Sequence, residues 1–146
     1  MIIKELRTNL HLIPPLARCL HAEWAAFPHW SSAARIETRL RQRALAINPA
    51  FTLLALSPEA EILATASIIH YELADQSERE YWLGEVLTLP AQRGKGLATA
   101  LVMACVQRCR EQDLRALYLY TPDQQALYQR LGWQEIEQRT VAEETV

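Results

Sequence analysis

A short basic turn with two glycines is the stretch of this sequence best suited to bind a ligand. Gly94 and Gly96 lie between an apolar run that ends at Pro90 and a helical pattern that follows at once. A turn of this kind leaves consecutive backbone N–H groups free at the start of a helix, where they can bind phosphate oxygens. The glycines allow a ligand to approach the backbone closely, and Arg93 and Lys95 add positive charge. The sequence therefore predicts a phosphate site at this turn.

Two common phosphate loops and one purely structural explanation compete for the same glycines. A P-loop requires Gly-x4-Gly-Lys followed by Ser or Thr, but Leu89 stands at the first glycine position and Gly96 follows the lysine. A dinucleotide fingerprint would need its third glycine where Thr99 stands. Both loops fit poorly, while an ordinary strand–helix turn would account for the glycines without any ligand.

A second segment, further along the chain, has the pattern of a strand, a short helix and another extended run. Leu117–Thr121 is strand-like, Asp123 can cap a helix that contains Tyr128, and Gly132 suits the left-handed position after that helix. Trp133 begins the next extended run. Tyr128 is therefore placed between two strands, where it can pack on the core or donate a proton.

Together the two segments resemble the hallmarks of the GNAT superfamily of N-acyltransferases. The pattern Arg-x-x-Gly-x-Ala over residues 93–98 is similar to the family's acyl-CoA pyrophosphate loop, and Leu-Tyr-x-x-Leu-Gly-Trp over 127–133 is similar to its second motif. Their order and spacing also match. Trp-Leu at 82–83, ahead of Val-x-Thr-x-Pro at 86–90, looks like a subset of small bacterial members. The resemblance covers roughly residues 1–141.

The resemblance implies an α/β (α+β) fold in which a mixed, largely antiparallel sheet carries helices on both faces. A parallel crossover would join the fourth strand through the third helix to the fifth strand, within a single domain over residues 1–146. Apolar periodicity places the elements in the same order. The predicted strands are Ile2–Leu6, Phe51–Leu56, Ile62–Tyr71, Tyr81–Leu89 and Arg115–Tyr120, and the predicted helices run through Leu12–Trp24, Ile36–Ala44 and Leu97–Asp113.

The end of the chain departs from the family pattern. After Trp133–Val141 the family usually returns with a final strand, but only Glu143–Val146 remain here. We therefore expect an exposed strand edge, or an edge completed by a second copy in a homodimer.

The resemblance also implies the activity, an acetyl-CoA-dependent N-acetyltransferase. Acetyl-CoA would be the co-substrate, and a primary amine of a small molecule or peptide would be the acceptor. Tyr128 stands at the family's general-acid position. The fourth strand and the glycine turn would hold the cofactor through Val86, Leu87, Thr88, Arg93, Gly94, Lys95, Gly96, Leu97, Ala98 and Thr99. The alternative is a non-catalytic acyl-CoA-binding or regulatory module.

The general base is less clearly marked than the acid. On simple alternation Glu85 shares one face of the fourth strand with Leu83 and Leu87, and it is the only acid within that strand. A carboxylate in a covered sheet needs a partner or a role, so Glu85 is the candidate catalytic residue. A water relay is an alternative. Other candidates near the expected acceptor mouth are Glu23, His29, His70 and Tyr71, while Trp24, Trp30 and Trp82 could line an aromatic acceptor site or pack in the core.

Composition argues against several other functions. A net charge of −2 does not favour nucleic-acid binding, and no apolar run of eighteen residues suggests a membrane span. The N-terminus lacks the apolar core of a signal peptide, so we expect a cytoplasmic protein. The three cysteines form no CxxC pair, and we expect no metal site. Arg35, Arg39 and Arg43 form an i,i+4 stripe that indicates a solvated helix face.

Overall fold

The computed structural model describes residues 1–72, 78–141 and 144–146. In chain order the strands are β1 (Ile2–Glu5), β2 (Phe51–Leu56), β3 (Ile62–His70), β4 (Tyr81–Thr88), β5 (Thr140–Val141) and β6 (Glu144–Thr145). The α-helices are α1 (Ile13–Trp24), α2 (Ala33–Leu45), α3 (Leu97–Glu111) and α4 (Gln125–Arg130). Short 3-10 turns lie at Leu6–Thr8, Leu10–Leu12, Pro28–Trp30 and Pro90–Gln92.

The central sheet consists of four antiparallel strands in the order β1-β2-β3-β4. One face is covered by α1 and α2, whose buried side chains form an α1–α2 cluster that includes Leu16, Leu40 and Leu54. The other face is covered by α3, in an α3 cluster that includes Leu101 and Leu53. The predicted α+β fold with helices on both faces is therefore confirmed.

The middle strand β2 shows why the sheet must be covered on both sides. All of its residues are buried. Leu53 packs in the α3 cluster and Leu54 in the α1–α2 cluster, because successive side chains point to opposite faces of a strand. Burying a leucine contributes about 1.5–3 kcal/mol. The near-continuous apolar run in the sequence is thus the signature of a strand between two helical layers.

A β-bulge in β4 changes which side chains share a face. Thr65 of β3 pairs with Leu87, yet Ser67 pairs with Gly84, so β4 contains one residue more than β3 at this point. Glu85 adopts a left-handed φ of 53° there. Leu83 consequently packs in the α3 cluster and Leu87 in the α1–α2 cluster. The predicted alternation, which put Leu83, Glu85 and Leu87 on one face, is wrong because it assumed an unbroken strand.

The predicted fifth strand, Arg115–Tyr120, is reduced to a single parallel bridge between Trp82 and Tyr118. Leu83 N donates to Tyr118 O at 2.7 Å, and Tyr118 N donates to Tyr81 O at 3.0 Å. Within the described residues no further backbone hydrogen bond joins this segment to β4. The edge of β4 beyond Leu83 is therefore open on the side away from β3.

The C-terminal run also differs from the extended strand expected over Trp133–Val141. Only β5 and β6 form there, as a hairpin of two-residue strands that Arg139 and Val146 close with backbone hydrogen bonds of 3.2 and 2.8 Å. Residues 142 and 143, part of the expected final segment, lie outside the described residues. No helix within the described ranges is long and apolar enough to cross a membrane.

Candidate active site

The glycine turn forms an uncapped entrance to α3. Gly94 and Gly96 have left-handed φ values of 81° and 77°, which favour glycine. Gly96 is the residue that precedes α3, and no side chain caps it. Because the hydrogen bond from Ala100 N to Gly96 O closes the first helical turn, the N–H groups before Ala100 have no helical partner. A Cβ at either glycine would meet no atom within 4 Å, so the backbone faces open space that a phosphate can fill.

The two basic side chains of the turn stay exposed and are held locally. Arg93 donates from Nε to Thr88 O at 3.1 Å and from a terminal nitrogen to the Glu23 carboxylate at 3.0 Å. Lys95 Nζ donates to the Gln92 side chain at 3.0 Å. Arg93 thereby connects the turn to the end of β4 and to α1. Since its side chain is 53% exposed, its charge remains accessible to an anion.

The three residues of β4 that precede the turn, Val86, Leu87 and Thr88, lead directly to it. Val86 packs against the α3 cluster and Leu87 within the α1–α2 cluster, so side chains on both faces anchor the strand. The free edge of β4 at Val86–Thr88 and the N–H groups of Leu97, Ala98 and Thr99 belong to one continuous segment. The structure thus brings the predicted cofactor residues together along one path, from an open strand edge to an open helix end.

Tyr128 lies in α4 and packs in the α3 cluster with only 8% of its surface exposed. Its ring meets the Trp133 ring edge-on at a centroid distance of 6.1 Å. Gly132 has a left-handed φ of 95°, and Trp133 N donates to Tyr128 O at 3.0 Å, which closes the helix as the sequence predicted. Burial, and then the neighbouring Cys105, raise the pKa of Tyr128, so its hydroxyl keeps its proton at neutral pH.

Glu85 is occupied by a buried ion pair with Arg43 of α2. Two guanidinium nitrogens of Arg43 each donate to the Glu85 carboxylate at 2.8 Å, and the side chains are 9% and 6% exposed. Arg43 also donates to the hydroxyls of Thr52 and Ser67 at 3.1 Å. Burial acts to raise the pKa of Glu85, but Arg43, Arg39 and the Ser67 hydroxyl outweigh it and hold the pKa below its usual range. A carboxylate held in this way is a weak base.

The arginine stripe of α2 is therefore not a solvated face along its whole length, and that prediction is wrong for Arg43. Arg35 is exposed, but Arg43 points into the sheet and binds Glu85. Between them Arg39 donates to His29 O at 2.7 Å, and its guanidinium lies 5.0 Å from the Trp30 ring centre. Helical spacing alone cannot show that Arg43 is buried, because its partner carboxylate, Glu85, is placed by the bulge in β4.

Glu72, which follows β3 and Tyr71, is a functional candidate that sequence reasoning missed. Its Oε1 accepts a hydrogen bond from the Tyr120 hydroxyl at 3.2 Å, and a Cβ on Gly84 would lie 3.3 Å from its Oε2. Burial, and then the charge of Glu85, raise the pKa of Glu72 above its usual range. The one available signal was the glycine inside β4, which makes room for side chains that come from β3 and from the residues after it.

The other acid–base candidates are distributed around the site. Glu23 binds Arg93, and His70 lies 2.9 Å from the Glu80 carboxylate and stacks on Tyr81. Burial and the charge of Arg39 lower the pKa of His29. Tyr71 is exposed beside His70.

The three tryptophans that sequence reasoning placed near the acceptor site do not form one group. The rings of Trp24 and Trp30 are 5.0 Å apart and pack against the α1–α2 cluster. Trp82 is 2% exposed and donates from its indole to Arg79 O at 2.7 Å. Among the described residues no three His, Cys, Asp or Glu side chains are grouped to hold a metal.

A family model for the acetyltransferase (GNAT) family matches residues 16–133. Since this is most of the chain, the protein belongs to the GNAT acetyltransferase family, whose members transfer acetyl groups from acetyl-CoA, and the predicted family is confirmed. A comparison with functionally curated proteins found no match.

Solved structures share this fold at low sequence identity. One from Clostridium acetobutylicum, described as a predicted acetyltransferase and solved with acetyl-CoA, is 18% identical, with a TM-score of 0.70 over 93% of this chain and 91% of that one. Glucosamine-6-phosphate N-acetyltransferase from Arabidopsis thaliana is 14% identical, with a TM-score of 0.70 over 96% and 95%. A transcriptional regulator from Bacillus halodurans is 16% identical, with a TM-score of 0.70 over 96% and 97%. At these identities the likeness establishes the fold alone.

Proposed function

We propose that the protein is an acetyl-CoA-dependent N-acetyltransferase that acts on a primary amine of a small molecule or peptide by direct attack on the thioester. The observation that carries this proposal is the continuous path from the open edge of β4 to the uncapped N-terminus of α3. Such a path suits a ligand with a long amide-bearing arm and a pyrophosphate at its end. Glucosamine-6-phosphate N-acetyltransferase, a neighbour in fold, also transfers acetyl to an amine.

The proposed cofactor contacts are mainly backbone contacts. Val86, Leu87 and Thr88 would pair with the amide arm as a neighbouring strand does. The N–H groups from Gly94 to Thr99 would bind the pyrophosphate, with charge from Arg93 and Lys95 and from the helix dipole. These contacts need open backbone rather than particular side chains, which agrees with the open space at both glycines.

Tyr128 is the proposed general acid. Its raised pKa keeps the hydroxyl protonated, so it can give a proton to the thiolate that leaves when the C–S bond breaks. The sequence suggested Glu85 as a free base, but its ion pair with Arg43 supports a different role. We propose that Glu85 supplies a fixed negative charge beneath the acceptor, because pairing with Arg43 stabilises its ionised form.

The direct test is to titrate acetyl-CoA by calorimetry and then to follow thiol release with a panel of amines. We expect saturable binding and amine-dependent thiol release. Absence of binding at millimolar acetyl-CoA would refute the cofactor site. Hydrolysis of acetyl-CoA at the same rate with and without amine would refute the transfer.

A non-catalytic acyl-CoA-binding or regulatory module is the second candidate, favoured by the engagement of Glu85 in its ion pair. The transcriptional regulator from Bacillus halodurans has the same fold. This function requires acetyl-CoA binding without turnover for any amine, so the same thiol-release assay separates the two candidates.

We further propose a homodimer. A cavity of 480 Å³ separates Leu117–Thr121 from the C-terminal run and is lined by apolar side chains that include Leu119, Trp133 and Ile136. A strand edge beside an apolar groove favours pairing with another chain, and a second copy offers the same surface in return.

A further inference from the structure

The carboxylate of Glu72 lies over β4 at the one place where that strand has no side chain. A Cβ built on Gly84 would come within 2.7 Å of Ile69 Cδ1 and 3.3 Å of Glu72 Oε2. The other three glycines of the chain have left-handed φ values and open space around the same position. Gly84 is thus the glycine whose missing side chain makes room. The Ile69 side chain takes that room at the shortest distance and the Glu72 carboxylate lies next to it, directly beside the bulge at Glu85.

Tyr120 fixes the other oxygen of this carboxylate, with a hydroxyl-to-Oε1 distance of 3.2 Å. Tyr120 belongs to the segment that bridges to β4 at Tyr118, and its ring meets the ring of Trp82 at a centroid distance of 6.2 Å. Glu72 is therefore held where β4 and this segment separate, which is also where the free edge of β4 begins.

The charged groups that face Glu72 come from two elements: Glu85 from β4, and Arg43 and Arg39 from α2. Arg43 is committed to Glu85 through two bonds of 2.8 Å, and Arg39 donates to His29 O and stacks on Trp30. Within the described part of the chain, Glu72 forms no ion pair. No cationic side chain among the described residues therefore bonds its carboxylate, although Arg43 and Arg39 lower its pKa from a distance. An ammonium group is the partner that this carboxylate lacks.

We propose that Glu72 binds the ammonium group of the acceptor and removes its proton, which makes the acceptor an aliphatic primary amine. This inference rests on the proposed N-acetyltransferase function and names the acceptor class for the same site. An aliphatic amine has a pKa near that of lysine, about 10.4, and arrives charged at neutral pH. An aromatic amine arrives neutral and would gain nothing from the carboxylate.

The protons balance over one turnover. Glu72 takes one proton from the ammonium and later releases it to solvent. The free amine nitrogen forms the C–N bond, the C–S bond breaks, and the thiolate takes a proton from the Tyr128 hydroxyl. The second proton lost by the nitrogen restores the Tyr128 hydroxyl through water. The products are the amide and the thiol, with one proton released. The raised pKa of Glu72 brings its basicity closer to neutral pH, as proton removal requires.

The test compares Glu72→Gln with a matched control, Glu59→Gln, on the exposed β2–β3 turn at the opposite end of β3. Acetyl-CoA affinity is measured by calorimetry, and kcat/KM is measured across pH with primary alkylamines and with anilines. We expect Glu72→Gln to keep its affinity for acetyl-CoA and to lose about 10² to 10⁴-fold in kcat/KM for alkylamines. Glu59→Gln should match the wild type.

The pH profile gives a readout that a merely structural role would not change. In the wild type, kcat/KM should fall on the acidic side through the pKa of Glu72 and be level above it. In Glu72→Gln the level region should disappear, and kcat/KM should rise with pH up to the pKa of the amine itself. Tyr120→Phe removes a hydrogen bond that lowers the pKa of Glu72, so its acidic limb should move to higher pH.

Several outcomes overturn the inference. An active wild type with an equally active Glu72→Gln and the same pH profile refutes the role of Glu72 and leaves the acetyltransferase function standing. Anilines that react as well as alkylamines of similar size refute the acceptor class. A wild type that binds acetyl-CoA but acetylates no amine refutes the proposed function itself, and the role of Glu72 with it.

Discussion

Single glycines serve the site in two ways. Gly94 and Gly96 adopt left-handed conformations that other residues rarely adopt, and they leave backbone N–H groups in open space. Gly84, in contrast, provides volume for the side chain of Ile69 and for the neighbouring carboxylate of Glu72. The two uses have different consequences for substitution. A side chain at Gly96 would enter the open space proposed for the pyrophosphate, whereas a side chain at Gly84 would collide with the protein.

Gly96→Ala should therefore weaken cofactor binding by more than it weakens the fold. The left-handed φ of 77° costs an alanine about 1–2 kcal/mol in the free energy of unfolding. The added Cβ also enters the space proposed for the pyrophosphate. We expect the dissociation constant for CoA, measured by calorimetry, to rise at least about tenfold, or 1.4 kcal/mol.

Gly132→Ala is the matched control for Gly96→Ala. Gly132 also has a left-handed φ, 95°, and open space at its Cβ, but it lies after α4. It should show a similar loss of thermal stability and an unchanged dissociation constant for CoA. Equal affinities in both variants would exclude the 93–99 turn from the cofactor site.

Tyr128→Phe should remove the proton donor while preserving the core. The ring is buried against Trp133 in the α3 cluster, and phenylalanine keeps that packing. We expect kcat to fall about 10²-fold, with the melting temperature and the affinity for acetyl-CoA unchanged. Tyr118→Phe, on the segment that bridges to β4, should retain wild-type kcat. A Tyr128→Phe variant with full activity would show that another group, or water, protonates the thiolate.

At the scale of elements, β4 and α2 are joined by the buried pair Glu85–Arg43. Removing one partner of such a pair leaves a charge uncompensated, which typically costs about 3–5 kcal/mol. We therefore expect Arg43→Met to lower the free energy of unfolding by about this amount at pH 7, as measured by urea denaturation. Arg35→Met, on the exposed part of the same helix, should change it little.

The pH dependence of stability should change direction in Arg43→Met. In the wild type the pKa of Glu85 is depressed by folding, so its contribution is present above the unfolded pKa of about 4.3 and is lost as pH falls through the folded pKa. In the variant the unpaired, buried carboxyl has a raised pKa instead. Its contribution is then greatest below pH 4.3 and is lost as pH rises. A variant that is destabilised equally at pH 4.5 and pH 7 would contradict this.

The elements that apolar periodicity could predict are those buried on a continuous face. The strand Phe51–Leu56 and the helix beginning at Leu97 both follow directly from their patterns, and the structure has them there. The bulge in β4 could not be predicted, because a glutamate in a left-handed conformation carries no local signal. The bulge is associated with a tertiary contact, because it places the Glu85 carboxylate beside Arg43 of α2.

The dependence on tertiary contacts also distinguishes the parts of the site that the sequence predicted from the part that it missed. The glycine turn and the end of α4 at Gly132 are local motifs, in which adjacent residues define the geometry, so the sequence was sufficient to predict their form. The cap expected from Asp123 is wrong, because Gln124 is the residue that precedes α4 and no side chain caps that helix. Glu72 acquires its setting from Gly84 and Tyr120, which lie elsewhere in the chain. Its proposed role depends on contact between three separate segments of the chain. No spacing in the sequence predicts that these segments come together.

At the scale of the whole molecule, an apolar surface remains open beside the last segments of the chain. The groove between Leu117–Thr121 and the run after Trp133 has a volume of 480 Å³, and Ile136 on its rim is 61% exposed. Among the described residues no backbone hydrogen bond joins these two segments across the groove. A second copy that inserts its own C-terminal run would pair both edges and bury the apolar lining, and two-fold symmetry would repeat the contact.

We therefore expect light scattering at tens of micromolar protein to give twice the chain mass of 16.7 kDa. Ile136→Glu places a charge in the proposed interface and should shift the protein toward monomer. Ile47→Glu is the matched control, since Ile47 is fully exposed after α2, away from the groove, and that variant should remain a dimer. A wild-type monomer at this concentration would refute the dimer, because an interface built on paired strand edges and buried apolar side chains should be populated there. A dimer that Ile136→Glu leaves intact would instead place the interface on another surface and leave the groove between the two segments without its proposed occupant.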